Sequence, residues 1–214
     1  MAVIDITPDL TIDRIVLDGA PRPLLTRTAE ARLGATHRDV LTRLDQLLMA
    51  NGFTSFTIVD LAREVGCSRR TLYEIAPSKE QLVLIVLDRR LHSMGRAALG
   101  AIDPASDSAD QIRQYIQGAI GHEVFSPMMH DLVEHAPALR LVERHYRFSM
   151  SVVQRLVSIG IDRGEFAPID PAIVAAVVTG SSHYFMASDV ISDTGVPLAE
   201  LVSGMLDLVL AGLN

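Results

Sequence analysis

The sequence predicts an all-α chain, and three observations carry that reading. Apolar residues recur at helical spacing through most of its length. The periodic runs are opened by Thr, Ser or Asp-Pro and closed by Gly or Pro, which is helix punctuation. No stretch shows strand alternation bounded by turns. The predicted architecture is an N-terminal three-helix helix-turn-helix domain followed by a larger C-terminal helical domain. The expected divisions are 1–35 for a partly ordered arm, 36–80 for the helix-turn-helix unit and 81–214 for the larger domain.

Residues 1–26 alternate weakly and carry Pro8, Pro21 and Pro23, so an extended arm is expected. Arg22, Arg27, Arg32 and Arg38 follow at loose intervals, and a basic arm ahead of a helix-turn-helix can reach an adjacent groove. An ordinary leader with surface arginines explains them equally well. From Thr36 to Asn51 the chain reads as an amphipathic helix. Val40, Leu41, Leu44, Leu47 and Leu48 form its apolar face and Asn51-Gly52 ends it.

The stretch from Thr57 to Glu80 organises the rest. Thr57 is an N-cap with Asp60 three residues on, in the manner of a capping box. Ile58, Leu61, Ala62 and Val65 give a short helix one apolar face. Ala62 allows a close helix crossing, and Gly66 can take the left-handed conformation of a sharp turn. Ser68 caps a second helix, with Cys67 and Leu72 placed as a hydrophobic staple. That helix presents Arg69, Arg70, Thr71 and Tyr73. At the start of a recognition helix, arginines can bond guanine edges, while Thr and Tyr hydroxyls more often hold phosphates. Pro77 and Ser78 stop this helix and cap a third, with Gln81 placed to complete a capping box. Lys79, the only lysine of the chain, sits at the first turn of that third helix, where a free ammonium would attract phosphate.

These residues resemble the TetR (tetracycline-repressor-type) family of transcriptional regulators. The likeness lies in the Thr-capped helix, the small-x-x-x-Gly turn, Thr-Leu-Tyr, and Ser-Lys-Glu before an apolar run. It covers Thr36 to Leu87 in detail and the remainder only in length and helical layout. The resemblance implies DNA contacts at Thr57, Ser68, Arg69, Arg70, Thr71, Tyr73 and Lys79. It also implies repression of a palindromic operator by a homodimer. One position departs from the family pattern: Ala76 stands where an aromatic wedge is usual, which bears on the angle of the third helix. A protein of this fold that has lost operator binding, and serves interaction or small-molecule binding instead, is the alternative.

From Gln81 the run LVLIVL is apolar on all sides, which suits a connector buried between two bodies. Asp103 to Ser108 reads as a linker. Helices are then expected over Ala109–Phe125, a short segment to His135, Pro137–Gly160 and Asp170–Val190, with a last one opened by Pro197. The last two carry more apolar surface than their own packing needs, and a two-fold four-helix interface would cover it.

Net charge is −7, but its distribution is uneven. Residues 21–90 carry 11 Lys and Arg against 8 Asp and Glu, while the remainder carries 8 against 18. A mildly basic head on an acidic body keeps one surface attractive to a duplex. The chain is 49% hydrophobic with a mean hydropathy of +0.27, which points to an interface or an internal cavity beyond an ordinary core. The longest charge-free run, Pro171 to Ser188, contains Gly180, Ser181, Ser182 and His183 and makes a poor bilayer helix. No basic-then-apolar leader is visible, so a cytoplasmic protein without membrane contact is expected. The lone Cys67 excludes an intrachain disulfide and a cysteine-based zinc cluster.

Methionines and aromatics in the midsection suit an adaptable cavity. With the family resemblance, Tyr115, His122, Phe125, Met129, His145 and Phe148 become the expected lining of a pocket for a small apolar organic effector. A metal is not expected, because the sequence shows no i, i+4 histidine pair. No cofactor and no enzymatic activity are expected either, since no G-x-S-x-G, phosphate-loop or dinucleotide motif is present.

Overall fold

The computed structural model describes residues 19–120, 127–132, 134–187 and 190–213, and these are all helical or connecting. A short helix, α1 (Arg27–Arg32), lies at the end of the stretch 1–35 expected as a partly ordered arm, just beyond the part expected to be extended; Thr26 caps it by accepting from the Ala29 N–H. It buries none of its residues, so no apolar periodicity could have announced it. Then come α2 (Ala35–Asn51), α3 (Ile58–Glu64), α4 (Arg69–Ile75) and the connector α5 (Lys79–Gly100). The body continues with α6 (Ser108–Ala119), α7 (Pro127–Leu132), α8 (Ala136–Asp162), α9 (Pro171–Ala187), α10 (Val190–Thr194) and α11 (Leu198–Ala211).

The expected helix over 109–125 is shorter at its described end. It leaves helical geometry at Ile120 (ψ 87°), after Gly118 has brought α6 against α5. A Cβ on Gly118 would stand 2.8 Å from the Ala101 Cβ and 3.0 Å from the Ala98 Cα, so only glycine allows this approach. The arm up to residue 18 and the stretch 121–126 lie outside the described residues.

Two hydrophobic cores divide the molecule. The first gathers Val40, Leu41, Leu44 and Leu48 of α2 with Leu61, Leu72, Leu82, Val83 and Val86. It does not stop at the expected boundary after residue 80. It takes Leu82 to Leu87 from α5, Met128 and Leu132 from α7, and Ala138 and Leu141 from the start of α8. The second core joins Ile112, Tyr115 and Ile116 of α6, Val152, Val153, Leu156 and Val157 of α8, Val174, Ala175 and Val178 of α9, and Val202, Leu206 and Leu210 of α11. Helices α5 and α8 therefore run through both cores, with α5 against α6 and α8, and α8 against α9.

Candidate nucleic-acid interface

The turn between α3 and α4 is built almost wholly from local hydrogen bonds. Thr57 Oγ1 accepts from the Asp60 N–H at 3.2 Å, and the Asp60 carboxylate accepts from the Thr57 N–H at 3.0 Å and its hydroxyl at 2.6 Å. The expected capping box is thus complete. The Thr57 hydroxyl, and then its N–H, hold the Asp60 carboxyl below the usual carboxylate range. After α3 the chain passes through Val65 to Gly66, whose φ of 63° is the left-handed region that glycine enters without a Cβ penalty. The Cys67 N–H then returns to the Ala62 carbonyl at 2.9 Å. From α2, Arg43 reaches across to donate to the Val65 carbonyl at 2.5 Å while its other Nη holds Asp39 at 2.6 Å. Ser68 opens α4 by accepting from the Thr71 N–H at 3.0 Å, and its hydroxyl meets that of Thr71 at 2.9 Å.

Leu61, Ala62, Val65, Leu72 and Ile75 point into the first core. Ala76, at the position expected to want an aromatic, is itself buried and ends α4 with extended backbone. Cys67 is half-buried against the same core, and burial pushes its thiol up despite the nearby Arg43. A thiol held protonated is a poor redox sensor.

The outward side of α4 carries Ser68, Arg69, Arg70, Tyr73 and Glu74, all exposed, with Thr71 half-buried beside Ser68. Arg69 makes no ion pair among the described residues. Arg70, its neighbour, is latched: its Nε donates to Glu74 at 3.0 Å, one helical turn on. Glu74 also meets His37 Nε2 of α2 at 3.2 Å, and these two contacts, Arg70 first, hold its carboxyl below the usual range. Glu74, His37 and Arg43 were missed by sequence reasoning. The i, i+4 spacing of Arg70 and Glu74 was the available signal for the first.

Lys79 departs from expectation. Its ammonium is not free beside the helix terminus, because it donates to the Thr54 carbonyl at 3.4 Å and to the Phe56 carbonyl. It ties the start of α5 to the loop before Thr57. Ser78 caps α5 through the Gln81 N–H at 3.2 Å.

That loop is clasped from the body as well. Asp131 of α7 accepts from the Phe53 N–H at 2.5 Å and the Thr54 N–H at 2.8 Å. Gly52, with φ 72°, makes room for it: a Cβ there would stand 2.5 Å from the Asp131 Oδ2.

Of the residues expected to line an effector pocket, Tyr115, His145 and Phe148 are described, and they divide between the second core and the face of α5. Tyr115 is buried in the second core with its hydroxyl donating to Ser149 at 3.2 Å, and burial pushes its phenol up. Phe148 packs against that core. His145 instead faces Asp88 and His92 of α5. His122, Phe125 and the Met129 side chain lie outside the described residues. Two clefts are found elsewhere. One, of about 230 Å³, lies between Thr54, Lys79, Glu80, Asp131 and His135. The other, of about 1020 Å³, opens between the segment from Arg22 to Ala31, α2 and α5, and Asp88 and His92 reach its wall.

Residues 41–86 match the family model described as bacterial regulatory proteins, tetR family. Among solved structures the chain is similar to a TetR-family transcriptional regulator from Agrobacterium tumefaciens, at 18% identity, 84% of this chain, 98% of that one and a TM-score of 0.67. It is similar to FadR from Bacillus subtilis, solved in complex with stearoyl-CoA, at 12% identity, 83% and 100% coverage and a TM-score of 0.68. It is also similar to SmeT, the repressor of the Stenotrophomonas maltophilia multidrug efflux pump SmeDEF, at 15% identity, 84% and 90% coverage and a TM-score of 0.62. At these identities the likeness shows the fold. No curated protein matches the sequence. Among the described residues, no helix is long and apolar enough to cross a membrane.

Proposed function

We propose that the chain, whose residues 41–86 match the tetR family model, is a cytoplasmic, non-enzymatic repressor of the TetR type that binds a palindromic operator as a homodimer and leaves it when a small organic effector binds. The observation that carries the reading is α4. It is a two-turn helix anchored by Leu72 and Ile75, with Ser68, Arg69, Arg70 and Tyr73 turned outward from a buried backing.

In this reading Arg69 reads base edges directly, and Arg70 joins it by exchanging Glu74 for the duplex. Thr57, Ser68, Thr71 and Tyr73 hold phosphates and set register. Lys79 acts at one remove, by fixing the loop before Thr57 and the N-terminus of α5. The dimer forms through α9 and α11, where Ile173, Val177, Tyr184 and Leu208 stand exposed on the outer side of a packed helix pair. A solvent-facing apolar stripe of this kind is costly unless covered, and a two-fold copy covers it with itself.

Release follows the contacts between body and head. An effector that displaces α7 or α5 moves Asp131, Met128 and Leu132, which grip the loop and core behind α3. Its affinity must be higher for the state with the wrong head spacing, since equal affinity shifts nothing. The bound acyl thioester of the Bacillus subtilis relative and the efflux-pump repression of SmeT support an apolar organic effector and repression respectively.

The test is selection of random-sequence duplex by the purified chain at two salt concentrations, followed by sequencing. Enrichment of two inverted half-sites is the expected result. Salt-sensitive retention without enrichment would remove the operator from the reading, and no retention at either salt would remove DNA altogether.

A further inference from the structure

Behind the head, three polar atoms are buried with no hydrogen-bond partner and face one another: Asp88 Oδ1 and His92 Nε2 of α5, and His145 Nε2 of α8. The His92 nitrogen stands 3.6 Å from the Asp88 oxygen and the His145 nitrogen 3.7 Å from it, with all three atoms within 4.8 Å of one another. These separations are too long for hydrogen bonds. Unpaired buried polar atoms normally cost about 1–3 kcal/mol each, so three aimed at one point call for an occupant.

We propose that Asp88, His92 and His145 form a binding site for a divalent transition-metal ion of the zinc type. Metal–nitrogen and metal–oxygen bonds of about 2.0–2.1 Å at a tetrahedral angle set ligands roughly 3.4 Å apart, so the two Asp88–histidine separations of 3.6 and 3.7 Å need to close by a few tenths of an ångström, while the two histidine nitrogens, within 4.8 Å of each other, need side-chain rotation of up to about 1.4 Å. Two imidazoles and one carboxylate without a thiolate select zinc, cobalt or nickel over magnesium and calcium. The surroundings prepare the ligands. Asp88 Oδ2 accepts from the Leu24 N–H at 2.8 Å, which aims Oδ1 at the histidines. Burial works against ionisation of Asp88, but the His145 imidazole, the Leu24 N–H and His92 outweigh it and keep the carboxyl below its usual range. Burial, followed by His145, Arg96 and Arg144, overrides Asp88 and pushes His92 down. The two rings meet edge to face, 4.7 Å apart at 83°. Asp88 and His92 reach the large cleft, which leaves a coordination position open on that side.

Arg144 is the opposing feature. Its Nη2 lies 3.6 Å from Asp88 Oδ1, and it also donates to the Arg22 carbonyl at 3.3 Å. The side chain is 44% exposed, so it can withdraw to solvent, but its charge competes with any cation. A bound ion would join the segment at Leu24, the connector α5 and the long α8 at a single point. Sequence spacing hid the site, because i, i+4 carries Asp88 and His92 while the third ligand comes from a helix 53 positions further on.

The test uses the untagged full chain, stripped with a chelator and titrated with zinc against a chromophoric competitor, then with cobalt by visible absorption. One equivalent per chain is expected, together with a zinc-dependent rise in Tm. His92→Ala and His145→Ala should each weaken binding at least about tenfold, with His183→Ala, which lies against Tyr146, as the unchanged control. Arg144→Ala should tighten it, an effect that no purely structural role for the cluster produces. Melting in chelator shows whether each variant folds, and Asp88→Asn, which keeps shape and removes charge, serves if an alanine variant does not. Absence of stoichiometric binding, or binding that survives the double histidine variant, overturns the site and leaves a trapped water or shared proton only. None of these readouts depends on DNA.

Discussion

The two cores are built on different scales. Most of the first is drawn from one contiguous run, Leu33 to Leu87, while the second reaches from Ala98 to Leu213. The head closes short loops, caps three successive helices with Thr57, Ser68 and Ser78, and turns an outward face of hydroxyls and arginines. The body depends on pairings between helices far apart in sequence and leaves an apolar face outward on α9 and α11. A head with so much local structure could fold by itself, yet Met128, Leu132, Ala138 and Leu141 are lent to it by the body. The molecule is two cores with one shared seam.

The largest effects test that seam. Leu44 lies fully inside the first core and Leu156 fully inside the second. Leu44→Ala and Leu156→Ala should each cost about 2–5 kcal/mol. Because α5 and α8 thread both cores, calorimetry should show one transition that both substitutions lower. Two separate transitions, each moved by only one of the variants, would make head and body independent folding units.

Next comes the clasp. Gly52→Ala forces an alanine into a positive-φ, extended-ψ conformation (φ 72°, ψ −172°) that is essentially restricted to glycine, at about 1–3 kcal/mol, and drives Asp131 off the Phe53 and Thr54 N–H groups, at about 1–3 kcal/mol for the donors it abandons. Asp131→Asn keeps the volume and weakens the acceptor, so it should cost less than Gly52→Ala in a denaturant melt. Equal losses would mean that backbone strain is absent and the carboxylate alone matters.

What was legible follows the same division. Thr57, Asp60, Gly66, Ser68 and Ser78 were read correctly because capping and turn chemistry act within four residues, where sequence and space coincide. The latch of Arg70 by Glu74 had a readable spacing. The capture of Lys79 by the Thr54 and Phe56 carbonyls had none, since it depends on how a loop folds back over a helix terminus. Of the expected effector lining, Tyr115 and Phe148 join the second core while His145 turns to Asp88 and His92 of α5. Residue type says that a cavity is possible, but only tertiary packing decides which side chains share it. Helix α1, lacking a buried residue, carried no apolar signal at all.

Within the head, Arg69 and Lys79 sharpen the distinction between a group facing solvent and one folded inward. Arg69→Ala should weaken operator binding on the order of tenfold or more and relax selection at one base position. Lys79→Met should weaken binding to every sequence while leaving the salt dependence unchanged, because its ammonium is spent on carbonyls and releases no counterion. A salt slope lowered by about one on loss of Lys79 would restore it as a phosphate contact.

The smallest effect on stability belongs to the face of the body. Leu208 is 78% exposed, so Leu208→Lys breaks no core contact of the isolated chain and should change its melting free energy by no more than about 0.5 kcal/mol. At a two-fold interface the same substitution places two ammonium groups where two leucines met, and burial without a partner is unfavourable for each. Sedimentation should therefore show a dimer for the parent chain and a monomer for the variant, with half-site spacing no longer selected from random duplex. A variant that sediments as the parent does would mean that Ile173, Val177 and Tyr184 are covered by something other than a second copy through α11. The contrast between a polar working face on the head and an apolar one on the body would then need a different partner on the second.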